Sequence, residues 1–163
     1  TLASWLGVKT VVGNWTDTYD RGVERRKSSK NINYIQNSLN LDTKYGTGTT
    51  EYSRENGAIA VTLECGQHMD PESEKIAFKA ISNILLQLKM ISNNTKGFKV
   101  KNLKFFALYE VFDNGDPDDN FLMPWKNFDR ILKGTEIAVR KNGEKILAPE
   151  NGCILFPNRD AEP

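Results

Sequence analysis

Apolar residues change their spacing along the chain, and the changes mark its elements. From Pro71 to about Ile91, Ile76, Ala77, Ala80, Ile81, Ile84, Leu85 and Leu88 recur three and four positions apart. That spacing builds one wide apolar face of a helix. Asp70 is the expected N-cap, with Pro71 at the first helical position. Glu72 and Glu74 near the start and Lys89 near the end match the helix dipole. Just before this helix, Ala58 to Leu63 is almost wholly apolar and rich in β-branched residues. Such a run predicts a short strand buried on both faces.

Upstream, Leu2, Ala3, Trp5 and Leu6 give Thr1–Leu6 a short helical face that Gly7 ends. Val8–Val12 predicts a strand, broken by Gly13-Asn14. Thr16–Lys30 is polar and reads as a solvated loop or lid, its basic cluster (Arg21, Arg25, Arg26, Lys27, Lys30) diluted by Asp17, Asp20 and Glu24. Ile32, Ile35 and Leu39 predict a short helix over 31–41. Tyr45–Glu51 carries glycines but no Gly-Lys-Ser/Thr ending, so a turn before a short helical or extended piece is expected, not a phosphate loop.

Beyond Ser92–Gly97 the character changes. Lys101–Phe112 alternates and is aromatic-rich, which predicts a long strand. Asp113–Asn120 has the acidic density of a calcium loop but not its terminal Glu, and reads as an acidic turn. Trp125, Phe128, Ile131 and Leu132 are expected to face inward. Asn142-Gly143 between Glu136–Arg140 and Glu144–Ala148 is a strong hairpin signal. Pro149–Gly152 turns before a last strand at Cys153–Phe156. The order predicts an α/β region over 1–96 and a small β-rich domain over 97–163.

The candidate chemistry sits after the 58–63 run. Glu64 follows at once, then Cys65, Gly66, Gln67 and His68. Strand, polar loop and helix in that order place Glu64 at the carboxyl end of a sheet strand, where open α/β sheets hold their ligands. Glu64 is then either a strand-end residue in water or beside a lysine, or a general base whose pKa the apolar strand would raise. Cys65 reads as a small buried apolar residue.

The run Ala-Val-Thr-Leu-Glu-Cys-Gly-Gln-His (60–68), followed by Asp-Pro-Glu and the long amphipathic helix, resembles the second catalytic motif of the succinylglutamate desuccinylase/aspartoacylase family. That family belongs to the zinc carboxypeptidase clan. The resemblance implies that Glu64 is the general base on a zinc-bound water, in a hydrolase of N-acyl amino acids or similar amides. It implies that Arg54, ten residues ahead, clamps the substrate carboxylate with its bidentate fork; an exposed loop arginine is the other account of it. His68 is expected as a hydrogen-bonded loop residue near the site that tunes Glu64 or contacts substrate. The implied fold is the remainder of a zinc-carboxypeptidase-like α/β sheet domain followed by a small all-β barrel-like domain. The tail around Ala148–Ile154 also resembles half of a biotinyl/lipoyl carrier domain, but Lys141 at the hairpin lacks the flanks of a carrier lysine.

Composition narrows this further. The chain has 163 residues, is 39% hydrophobic, and carries 22 basic against 21 acidic residues. A core is feasible, and nothing in the balance points to nucleic acid or a membrane surface. No run is long enough to span a bilayer and no signal-peptide pattern opens the sequence, which together predict a cytoplasmic protein. Cys65 and Cys153 lie far apart, and a disulfide is not expected in that compartment. The family's zinc ligands come from a His-x-x-Glu motif and a later His, both before the glutamate, yet the one histidine here follows Glu64. The expectation is therefore the carboxyl-terminal part of a longer zinc enzyme, with no zinc held by this chain alone and no turnover by it in isolation. The competing expectation is a non-catalytic binding or interaction module working through its β-rich end.

Overall fold

In the computed structural model, residues 2–28, 41–66, 69–92 and 97–158 are described. The helix expected over 31–41, apart from Leu41, and His68 lie outside them. The chain forms two units, Thr1–Val111 and Phe112–Pro163. Both mix or juxtapose small sheets with turns, and among the described residues helices are confined to the first, so the α/β class stands in its coarse form.

The first unit is organised on a pair of parallel strands, β1 (Thr10–Gly13) and β2 (Lys104–Ala107), in register from Thr10↔Lys104 to Gly13↔Ala107. Thr-Val-Val in β1 suits a pleated surface. The ladder is extended by Lys104 N–H to Lys9 O at 2.7 Å and Leu108 N–H to Gly13 O at 2.9 Å. Parallel strands need a long crossover. Here it holds α1 (Trp15–Ser28), a 3-10 turn at Thr43–Gly46, α2 (Thr49–Glu55), an extended stretch from 58 to 66, and α3 (Ser73–Gln87).

Several expectations are corrected. Residues 16–28 form a helix, not a loop or lid. Its buried stripe is Thr18, Gly22 and Val23, with one large apolar side chain among them, so the hydrophobic pattern hid it. Asp17 in the first turn and Arg25, Arg26 and Lys27 in the last suit the dipole. The long strand expected over 101–112 is four residues long. Beyond it the carbonyls bond to α1 side chains instead of a neighbouring strand. Leu108 O accepts from Asn14 Nδ2 (2.9 Å) and Thr18 Oγ1 (2.7 Å), Tyr109 O from Arg21 (2.8 Å), and Val111 O from Arg25, which also pairs with Glu110. These contacts explain why residues up to 111 fold with the first unit rather than separating after residue 96.

Ala58–Leu63 is the largest departure. It has no strand partner among the described residues, and Ile59 is 84% exposed. Apolar, β-branched composition favours pairing but cannot supply the neighbour. Helix α3 begins at Ser73, not at Pro71. Asp70 closes a local turn instead, its Oδ1 accepting from Glu72 N–H at 2.9 Å and its carbonyl from Ser73 N–H at 3.0 Å. The helix buries Ala80 and Asn83. Asn83 is a clasp: Nδ2 donates to Trp5 O (2.6 Å) and Phe98 O (2.8 Å), while Oδ1 accepts from Phe98 N–H (2.8 Å).

The second unit is all-β. An antiparallel sheet runs β3 (Asn120–Phe121), β5 (Glu136–Val139), β6 (Lys145–Leu147), and a separate antiparallel pair joins β4 (Arg130–Ile131) to β7 (Gly152–Cys153). No barrel closes among the described residues, which corrects the barrel-like expectation. The β5–β6 hairpin turns at Asn142-Gly143, where Gly143 has φ +85°. Ile131, Ile137, Ala138 and Ala148 form the core, covered by Phe121, Trp125, Ile146 and Ile154. Trp125 Nε1 donates to Ile137 O at 2.9 Å. Trp125 and Ile131 face inward as expected; Phe128 and Leu132 are exposed.

Candidate functional site

Strand β1 ends at Gly13. Asn14 then takes a left-handed backbone, φ 68°, and α1 starts at Trp15. Asn is among the few residues that visit that region readily. The turn opens a crevice at the carboxyl end of β1, lined by Gly13, Asn14, Trp15, Asp17, Glu51 and Arg54 among others. The first turn of α1 contributes Trp15 and Asp17 to its wall, and α2 contributes Glu51 and Arg54. Two carboxylates and one guanidinium thus share a small, open hollow.

Arg54 is the residue the family resemblance singled out, and it lines this crevice. Its Nη1 lies 3.3 Å from Glu51 Oε1, with about half of the arginine side chain exposed. A half-exposed, long pair of this kind is worth about 0–1 kcal/mol. Its Nε donates to Ala60 O at 2.9 Å. One helical turn earlier on the same face, Thr50 Oγ1 lies 2.6 Å from Thr62 Oγ1. Helix α2 therefore tethers the stretch that leads into Glu64.

Glu64 itself is exposed, and it is not among the residues that line the crevice. Cys65 is half-buried with a free thiol. Gly66, at φ +123°, brings the chain so close to α3 that a Cβ there would lie 2.8 Å from Ser73 Oγ and 3.1 Å from Asp70 Oδ2. The structure thus joins Arg54 to the Glu64 segment through backbone, and does not bring the two functional groups to one wall. Among the described residues, no three His, Cys, Asp or Glu side chains gather where they could hold a metal ion. The described residues therefore do not fit a zinc site by themselves. Asn14, Trp15 and Asp17 were missed as crevice residues. The signal available was the Gly13-Asn14 break after an apolar strand, which marks a strand end in an α/β pattern.

The acidic turn of the second unit is a clasp. Asp119 Oδ2 accepts from Arg140 Nη1 (2.6 Å) and Gly115 N–H (3.0 Å), and its Oδ1 from Lys141 N–H (2.9 Å). Arg140 also donates to Asp113 O at 2.8 Å. Lys141 Nζ lies 3.2 Å from both Asp116 and Asp118 carboxylates. Burial pushes the Asp119 carboxyl up, but the bonds from Arg140, Lys141 and Gly115 outweigh it and hold the group below the usual range. The Asp118 N–H holds Asp116 low, with Lys141 adding to the effect. Lys141 is raised by its bonds to Asp118 and Asp116. The loop's carboxylates are thus met by its own cations, Arg140 and Lys141.

No protein-family model, no curated protein and no solved structure matches the chain. Among the described residues no helix is long and apolar enough to cross a membrane.

Proposed function

We propose that this chain serves amide hydrolysis of an N-acyl amino acid, in the manner of the desuccinylase/aspartoacylase family it resembles. The observation that carries the reading is Arg54. It lies on a crevice at the carboxyl end of a parallel strand while its Nε holds the backbone four residues ahead of Glu64. A substrate carboxylate entering the crevice exchanges the long, half-exposed contact with Glu51 for a charge-assisted pair with the guanidinium. Asp17 and Glu51 disfavour a second negative group and accept N–H donors of the bound molecule. Glu64, in the role the resemblance gives it, takes the proton of the attacking water and passes it to the leaving amine. The zinc ligands of such an enzyme would have to be residues other than those described, so zinc enters only through the resemblance.

The test has two arms. Titration of the chain with N-acetylglycine, which carries a single carboxylate, followed by NMR of arginine side chains, should show saturable binding that Arg54→Ala weakens about 10-fold or more and Glu64→Gln leaves intact. Equal binding by the wild type and Arg54→Ala refutes the crevice. In the native gene product, Glu64→Gln should lower hydrolysis by roughly 100-fold or more, and retained hydrolysis removes Glu64 from the mechanism. A second reading, a binding module in residues 112–163, draws on that unit having its own core and its own clasped loop.

A further inference from the structure

Helix α3 carries apolar surface that the described residues of its unit leave exposed. Its buried side runs through Ala80 and Asn83. A second line, Phe78, Ile81, Leu85 and Leu88, follows the three-four-three spacing of a coiled-coil seam. Phe78 is 72% exposed, Ile81 61% and Leu88 52%. Single exposed apolar residues need no explanation, but an ordered stripe on the longest described helix does.

The charges at its ends are arranged by sign. Glu74 continues the stripe one turn before Phe78, and Lys89 flanks it just past Leu88. Glu72, by contrast, is already paired with Lys75 at 2.5 Å. A parallel pairing of two such stripes sets glutamate against glutamate and lysine against lysine. An antiparallel pairing sets Phe78 of each copy against Leu88 of the other and Ile81 against Leu85. It also brings each Glu74 to the turn that carries the other copy's Lys89 and aligns the helix dipoles head to tail.

We propose that this face is a self-association surface on which two copies of the chain pair through antiparallel α3 helices about a two-fold axis. The three exposed side chains contribute about 300 Å² per copy, from their exposed fractions and the roughly 150–250 Å² such side chains bury. Two copies together bury roughly 600 Å² through these side chains, below the ~1,200 Å² at which specific, stable interfaces begin. A weak dimer that dissociates on dilution is therefore expected, not an obligate one.

Sedimentation velocity on the whole chain across about a hundredfold range of concentration tests this. The expected result is a monomer–dimer equilibrium that Ile81→Glu abolishes without changing the far-UV circular dichroism. Glu74→Lys and Lys89→Glu should each weaken the dimer, and the double swap should restore it. That restoration decides the question even if Ile81→Glu fails to fold. A monomer at every concentration overturns the proposal. So does a dimer indifferent to all four variants, and a dimer lost instead with Phe105→Glu would place the interface on β2.

Discussion

Asn83 makes the sharpest test of how the first unit is held together. It is 3% exposed and joins three segments distant in sequence: the 3-10 turn at Leu2–Trp5, helix α3, and the chain entering β2. Replacing it with Ala removes two donors and one acceptor at 2.6–2.8 Å. Phe98 O keeps its second donor, Gln87 Nε2 at 3.0 Å. Trp5 O and Phe98 N–H lose the partner described here. A buried backbone group left unpaired costs about 1–3 kcal/mol. The expected loss is therefore about 2–4 kcal/mol, with some recovery from water reaching one of the two groups. At roughly 4–8 °C per kcal/mol for a unit of this size, the melting temperature should fall by about 10 °C or more. Urea unfolding followed by circular dichroism measures the free-energy loss, and thermal melting the temperature shift. Gln87→Ala is the control, because it removes the redundant donor and should cost less than about 1 kcal/mol. Equal, small losses for the two variants would mean that apolar packing of α3, not this clasp, fixes the ends of the unit.

Three further predictions rest on other contacts. Asp119→Ala strands Arg140, Gly115 N–H and Lys141 N–H around a side chain that is 9% exposed. It should destabilise the second unit by about 2–4 kcal/mol. Asp119 and Asp116 are held below their ordinary value of 3.8. Their contribution is thus complete above about pH 4 and fades as pH falls through the lowered values. Acid unfolding of the second unit in Asp119→Asn should accordingly be less steep than in the wild type. Gly46→Ala would put a methyl 2.4 Å from Tyr19 Cδ1 and 2.9 Å from its Cγ. The ring base cannot swing aside as a side-chain tip can, so a loss of about 1–3 kcal/mol is expected by thermal melting.

What could be read from the sequence divides by range. Helix α3 and the Asn142-Gly143 hairpin were legible because their signals are local: a repeat of three and four, and a turn dipeptide. Ala58–Leu63 was misread because a strand is only half specified by its own residues; the other half is a neighbour. Helix α1 was misread for the opposite reason. Its buried face is Thr18, Gly22 and Val23, and its docking is polar, through Arg21, Arg25 and Asn14, so no hydrophobic periodicity announced it. Arg54 was reached only through family resemblance. Its place on the crevice depends on how β1 ends and where α2 falls, neither of which a linear pattern encodes.

The parallel ladder of Thr10–Gly13 with Lys104–Ala107 has a bearing on assembly in time. The first strand leaves the ribosome well before its mate and must wait for it until almost the whole unit has been synthesised. Until then no other described strand pairs with its Val11 and Val12. Pairing so distant in sequence is slow. The nascent protein should therefore spend its most aggregation-prone interval just before residue 107 emerges, and a truncation ending short of Lys104 should be captured by chaperones where the complete unit is released.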